Sequence, residues 1–217
     1  MITIPRTIHI VWVGDESRRP DNCIDTWRQK NPDWQVRVWG NADLAREHWK
    51  NARHIQAMRT REWNGVADMM RWEILLAQGG FAVDADSVCM RALEDWLFAN
   101  ALGCACFENE QAASGLLAAG YVAAVPGNAI LHRVVEDIYA SPSVTQASAW
   151  ITVGPKRLTD AYRRSRRHHP EFRIWPSHYF IPEHHSGVKY TGSGPIFAEQ
   201  KWASTKGLYP TLYRAKI

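Results

Sequence analysis

The chain has 217 residues, 46% of them apolar and 22% charged, which is ordinary for a globular protein and long enough to bury a core. Its formal charge of +4 is too mild to imply nucleic acid by itself. No stretch reaches about 18 apolar residues, so no membrane span is expected. The start, Met-Ile-Thr-Ile-Pro-Arg, lacks the layout of a secretory signal. Cys23, Cys89, Cys104 and Cys106 lack zinc-site spacing and are expected to be buried free thiols, which suits the cytoplasm.

In chain order, Thr7 to Val13 is a β-rich run closed by Gly14-Asp15 and predicts a central strand. His9 within it is expected to be buried and hydrogen-bonded. A helix over 21–30 stops at Asn31-Pro32. A second strand covers 35–39. Asn41 is expected to cap a helix from Ala42 to about Lys50, and 52–61 is helical too. Asn64 caps a longer helix over 65–78, in which Val66, Met69, Met70, Ile74 and Leu75 recur with helical period. Gly79-Gly80 stops it, and Phe81-Ala82-Val83 is a short buried strand that runs into Asp84-Ala85-Asp86. Strands are predicted over 102–107 and 121–125, and helices over 128–139 and 155–164. Short extended pieces follow near 172–175 and 179–181. Cys104 and Cys106 alternate, so both face one side of their strand. Strands alternating with helices define an α/β layer fold. The last forty residues, rich in Gly, Pro, Ser, Thr and His, read as a tail folded over a site.

Two carboxylates in Asp-x-Asp arise by chance about half the time in a chain with eleven Asp, so the context carries the signal. Here the pair follows a buried strand, and α/β proteins gather ligands beyond the carboxyl ends of strands. Two acids there repel unless a cation compensates, and Mg²⁺ or Mn²⁺ prefers oxygen ligands and bridges to phosphates. A solvated surface turn remains open on composition alone. A phosphatase of the haloacid-dehalogenase type is disfavoured, because no adjacent Asp pair occurs downstream. Asp68 and Arg71 share one helix face, as a ligand-binding pair or a plain ion pair. The eleven Trp residues are more than a core needs and suit aromatic walls around a ligand. From Lys156 to Arg173 there are seven Lys or Arg against two acids. The run Arg163, Arg164, Arg166, Arg167 either tracks phosphates or is a solvated helix end.

Several blocks together resemble glycosyltransferase family 32, a group related to the catalytic domains of large clostridial glucosylating toxins. These are Ile4-Pro5-Arg6-Thr7-Ile8-His9-Ile10-Val11-Trp12-Val13-Gly14, then Trp27 with Asn31-Pro32-Asp33-Trp34, then Ala67 to Leu75, and Gly79-Gly80-Phe81-Ala82-Val83-Asp84-Ala85-Asp86. Weaker likenesses are Phe107-Glu108-Asn109, Gly154-Pro155 and Trp175-Pro176.

The resemblance implies a single GT-A domain over 1–217, a Rossmann-like mixed sheet flanked by helices. Its nucleotide-sugar half would span about 1–110, and its acceptor half and closing tail about 111–217. It implies a metal-dependent, retaining transfer of a sugar from a UDP- or GDP-sugar to a hydroxyl acceptor, either a glycan or a hydroxymethylated base in DNA. By the same resemblance, Val11, Trp12 and Val13 cradle the nucleotide. Asp68 and Arg71 meet the sugar and diphosphate, Asp84 serves the sugar and the metal, and Asp86 is the direct metal ligand. Glu108 and Trp202 fall on the acceptor side, where the basic run would add DNA contacts. Gln200 stands where relatives carry a metal-binding His, so it is the candidate third ligand, with Glu199, His184 and His185 nearby in sequence. The same departure leaves open a catalytically impaired sugar- or nucleic-acid-binding module.

Overall fold

A computed structural model describes residues 3–217. Its strands are β1 (Thr7–Val11), β2 (Gln35–Trp39), β3 (Gly80–Val83), β4 (Ser87–Cys89), β5 (Gly103–Asn109), β6 (Ala113–Ala124), β7 (Phe172–Trp175) and β8 (Ala198–Gln200). Its helices are α1 (Asp21–Lys30), α2 (Asn41–Arg46), α3 (Ala52–Arg59), α4 (Trp63–Gln78), α5 (Ala129–Tyr139), α6 (Ala149–Thr152), α7 (Pro155–Ser165) and α8 (Tyr209–Leu212). Six strands form one sheet in the order β2-β1-β3-β6-β5-β7, and β4 pairs with β8 in a separate ribbon. Within the six-stranded sheet only β6 runs against its neighbours. The ends of β1, β3 and β5 and the early part of β6 therefore meet along one edge. This is the mixed sheet flanked by helices that the resemblance implies.

Strand alternation divides the core in two. Ile8, Ile10, Phe81, Val83, Cys104, Cys106 and Tyr121 face a layer with Trp27, Trp175, Phe180 and Phe197. Ala82, Ala105, Val122 and Ala124 face the other way, where small side chains let α4 and α7 approach closely and α5 packs on those two helices. All four cysteines are buried and free, and the expected shared facing of Cys104 and Cys106 holds. His9 is also buried as expected. Trp39 Nε1 donates to its Nδ1 at 3.1 Å, so its Nε2 carries the proton and donates to Gly79 O at 3.0 Å. Burial first, and Arg37 after it, lower its pKa to about 4 against the pull of the Gly79 hydrogen bond.

Several boundaries differ from the sequence reading. The first strand ends at Val11 instead of Val13, because the chain turns off the sheet toward Gly14, whose φ is +99°. Asn41 does not cap α2. Its side chain instead closes the β1 loop, accepting from Gly14 N at 2.9 Å and donating to Gly14 O at 2.8 Å, while Asp43 reaches back to Gly40 N. That helix ends at Arg46, short of Lys50. The long helix starts at Trp63, one residue before the expected cap. Residues 177–179 form a 3₁₀ turn where an extended piece was expected to begin. The strand expected over 121–125 is the end of the twelve-residue β6. No helix among the described residues is long and apolar enough to cross a membrane.

Candidate active site

The sheet edge opens into a cleft of about 1120 Å³, larger than most small-molecule pockets. Val11, Trp12 and Val13 line it from the end of β1 and the turn after it, Asp68 and Arg71 from α4, and Asp84 and Asp86 from the loop after β3. Glu108 lines it from β5, and Gln200 and Trp202 from the tail. Residues remote in sequence thus converge where the fold predicts a ligand.

The carboxylates sit in a buried network. Arg71 is buried, and its Nη1 donates to Asp68 Oδ1 at 2.9 Å and to Ala119 O at 2.8 Å, while Nη2 donates to Asp84 Oδ1. Its fork is therefore spent on orienting two acids. Asp86 Oδ1 accepts from Gln200 Nε2 at 2.9 Å, and Oδ2 accepts from Ala203 N at 2.7 Å. Asp84 Oδ2 shares the same Gln200 amide at 3.3 Å. Tyr121 donates its hydroxyl hydrogen bond to Gln200 Oε1 at 2.8 Å, which fixes the amide with its NH₂ group toward the acids. Gln200 thus turns its NH₂ group, not its amide oxygen, to the place where a cation would lie. Glu199 pairs with Lys201 instead and does not line the cleft.

Three acids face one guanidinium here, and the electrostatics show the imbalance. Burial raises the Asp68 pKa to about 7, with Asp84 adding to the effect and Arg71 opposing it. Burial and then the Asp84 charge raise Asp86, against hydrogen bonds from Ala203 and Gln200. Burial works against the Arg71 charge, but Asp84 and Asp68 outweigh it and hold its pKa above the usual value. A buried cluster short of positive charge, built of hard oxygen donors, fits Mg²⁺ or Mn²⁺. Asp84 and Asp86, which the Gln200 amide now bridges, are carboxylates that could hold such an ion.

Two glycines make room for these acids, and neither was singled out for this role from sequence. A Cβ on Gly120 would overlap the Asp84 carboxyl, 2.6 Å from its Cγ. A Cβ on Gly154 would lie 2.6 Å from Asp68 Oδ2. Trp63 and Trp150, both exposed, also line the cleft and were missed, although the excess of Trp pointed to such walls. Trp12 meets Tyr209 of α8 edge to face, with ring centroids 5.0 Å apart.

The basic run lies elsewhere. Arg163 donates to Gly115 O at 3.0 Å, Arg164 pairs with Asp137, and Arg166 and Arg167 are exposed. None of the four lines the cleft.

Residues 17–102, which include Asp68, Arg71, Asp84 and Asp86, match the family model described as the glycosyltransferase sugar-binding region containing the DXD motif. The chain is 23% identical over 164 residues to subversion of eukaryotic traffic protein A of Legionella pneumophila, covering 64% of this chain and 25% of that protein. It thus spans about a quarter of that relative's length. Among solved structures it is similar to the PaToxG glycosyltransferase, with a TM-score of 0.59 and 16% identity over 76% of this chain and 70% of that one. The UDP-bound glycosyltransferase domain of the YGT toxin gives a TM-score of 0.54 and 10% identity over 91% and 84%. A glycosyltransferase involved in glycosylating the major capsid of PBCV-1 gives 0.54 and 9% over 96% and 98%. The chain therefore has the GT-A fold, and within it residues 17–102 match a DXD sugar-binding region.

Proposed function

We propose that the protein is a metal-dependent glycosyltransferase that moves a sugar from a UDP- or GDP-sugar to a hydroxyl group. The observation that carries this is the convergence of Asp68, Arg71, Asp84 and Asp86 in one cleft at the sheet edge, within a segment matching a DXD sugar-binding region. Val11, Trp12 and Val13 would hold the nucleotide, in a half of the molecule spanning about 1–110. Asp68 would accept hydrogen bonds from sugar hydroxyls. Arg71 positions Asp68 and Asp84 and lends its charge to the diphosphate side. A divalent cation held by Asp84 and Asp86 would neutralise charge on the leaving diphosphate. For a retaining transfer the acceptor enters on the leaving-group face, so no separate strong base is needed. Gln200 supplies its oxygen only by turning away from Tyr121, and otherwise it is the group a cation displaces.

A glycan hydroxyl is the acceptor this reading takes, approaching from the side of Glu108 and Trp202. A hydroxylated base in DNA would draw on Arg163, Arg166 and Arg167 outside the cleft, and steeply salt-dependent DNA binding is the result that would favour it.

A thermal-shift panel of UDP- and GDP-sugars, each with and without Mn²⁺, tests the donor and the metal together. Stabilisation that needs both is expected, about 2.7 kcal/mol at a hundredfold excess over Kd. Asp86→Ala should lose nearly all donor hydrolysis and transfer while keeping its circular dichroism. Full activity of that variant in excess Mn²⁺ would overturn the assignment. Donor binding without any hydrolysis or transfer by the unaltered protein would favour the impaired binding module instead.

A further inference from the structure

Across the same cleft stands a cluster that the reading above does not use as a metal centre. Glu108 comes from the end of β5, and His184 and His185 come from a turn remote in sequence. One ligand atom from each lies within 4.8 Å of the others, and neither Asp84 nor Asp86 belongs to the group. His184 is buried, while His185 is exposed. His184 Nε2 lies 3.2 Å from Glu108 Oε1. Zinc holds such ligands at about 2.0–2.2 Å, and two ligands of a tetrahedral ion then sit about 3.3–3.6 Å apart. The observed separation is close to that edge.

The surroundings hold these side chains in place. The turn is closed by His184 N to Val188 O and Gly187 N to His184 O, both 2.9 Å, and by a bridge between Glu183 and Lys189. Trp202, in a left-handed backbone conformation with φ +56°, sets its ring edge-on to both imidazoles at 5.2 and 4.9 Å. Its Nε1 donates to Glu183 O at 2.9 Å. Ser186 Oγ lies 2.8 Å from His184 Nδ1. Ser186 N also donates to His184 Nδ1 at 3.2 Å, so without a metal Nδ1 accepts and Nε2 carries the proton toward Glu108 Oε1. When Nε2 takes a metal, the proton of a neutral imidazole shifts to Nδ1, and the contact there must pass from Ser186 N to Ser186 Oγ as acceptor. Ligand histidines are oriented in this way by a partner on the other ring nitrogen.

We infer that Glu108, His184 and His185 form a second cation site, selective for a Zn²⁺-class transition ion, separate from the Asp84–Asp86 pair. Two imidazoles and one carboxylate suit zinc, cobalt or nickel, whereas the all-oxygen pair suits magnesium or manganese. Three protein ligands leave a fourth position, and all three side chains line the cleft, so that position is open to water or to an acceptor hydroxyl. The acceptor role rests on the transferase reading, but the metal site does not.

Cobalt(II) reports the site directly through its visible ligand-field bands. The full chain, stripped with EDTA and titrated with Co²⁺, should bind one equivalent with intense tetrahedral-type absorption, and Zn²⁺ should displace it. His185→Ala, at an exposed position, and Glu108→Gln should each weaken that binding at least tenfold with unchanged circular dichroism. Asp86→Asn should keep the bands. Absence of the bands in the unaltered protein, or their persistence in His185→Ala, overturns the inference. Loss of the bands in Asp86→Asn overturns the separateness of the two sites. Mn²⁺-dependent donor hydrolysis is measured apart, so failure of the transferase reading leaves the cobalt result standing.

Discussion

Asp68 shows how a single buried acid sets the behaviour of the site. Its pKa is raised to about 7, while in an unfolded chain it would be near 3.9. Between those values the folded state binds the proton and the unfolded state does not. Stability from this group is therefore fully present below about pH 4 and is lost as pH rises through about 7. Asp68→Asn cannot titrate, so its stability relative to the parent should grow from pH 5 to pH 8, by on the order of 2 kcal/mol. Urea unfolding of both proteins across that range measures the difference, and a flat difference would show that the acid is not held protonated. His9 acts in the opposite sense, since its lowered pKa costs stability as pH falls from about 6.5 toward 4, and it contributes equally to both proteins. Comparing the pair cancels it.

At the scale of elements, β6 and α4 place the acids and glycine clears the space. Gly120 on β6 faces Asp84, and its missing side chain lets the carboxyl reach Arg71. Gly120→Ala should displace Asp84 and cut donor hydrolysis about a hundredfold, since small misplacements at a reacting centre are costly. Its unfolding midpoint should change far less than its rate. Unchanged hydrolysis would mean that Asp84 has no need of its present position. What was legible in the sequence follows from such local geometry. Strand alternation, the Gly79-Gly80 stop and the i, i+3 spacing of Asp68 and Arg71 are short-range patterns, and each appears in the structure. The β4–β8 ribbon was not legible, because three-residue strands have no period to detect and their partners lie over a hundred residues apart. The spaces kept by Gly120 and Gly154, and the meeting of Glu108 with His184, are likewise products of the tertiary fold.

The whole molecule is closed by its own tail. β8 pairs Gln200 opposite Ser87, Ala203 N donates to Asp86, and Tyr209 packs against Trp12 after β1. The tail thus touches both ends of the cleft and supplies the hydrogen bonds that now satisfy Asp86. On the proposed function, a cation held by Asp84 and Asp86 would replace the Gln200 side-chain contact and leave the β4–β8 pairing and the Ala203 hydrogen bond in place, and a nucleotide beside Trp12 would meet Tyr209. On the same reading, a ligand in the cleft that prefers the closed placement of residues 198–212 would stabilise the tail by its difference in affinity. Hydrogen exchange reads this residue by residue. The amides of Gln200, Ala203 and Leu212 should exchange at least tenfold more slowly with Mn²⁺ and UDP together than with either alone. The amides of β1 and β3, inside the parallel part of the sheet, should change little, because their protection reports global opening. Equal slowing across the sheet and the tail would instead mean that ligand stabilises the fold as a whole, and that the tail is no separate closing element.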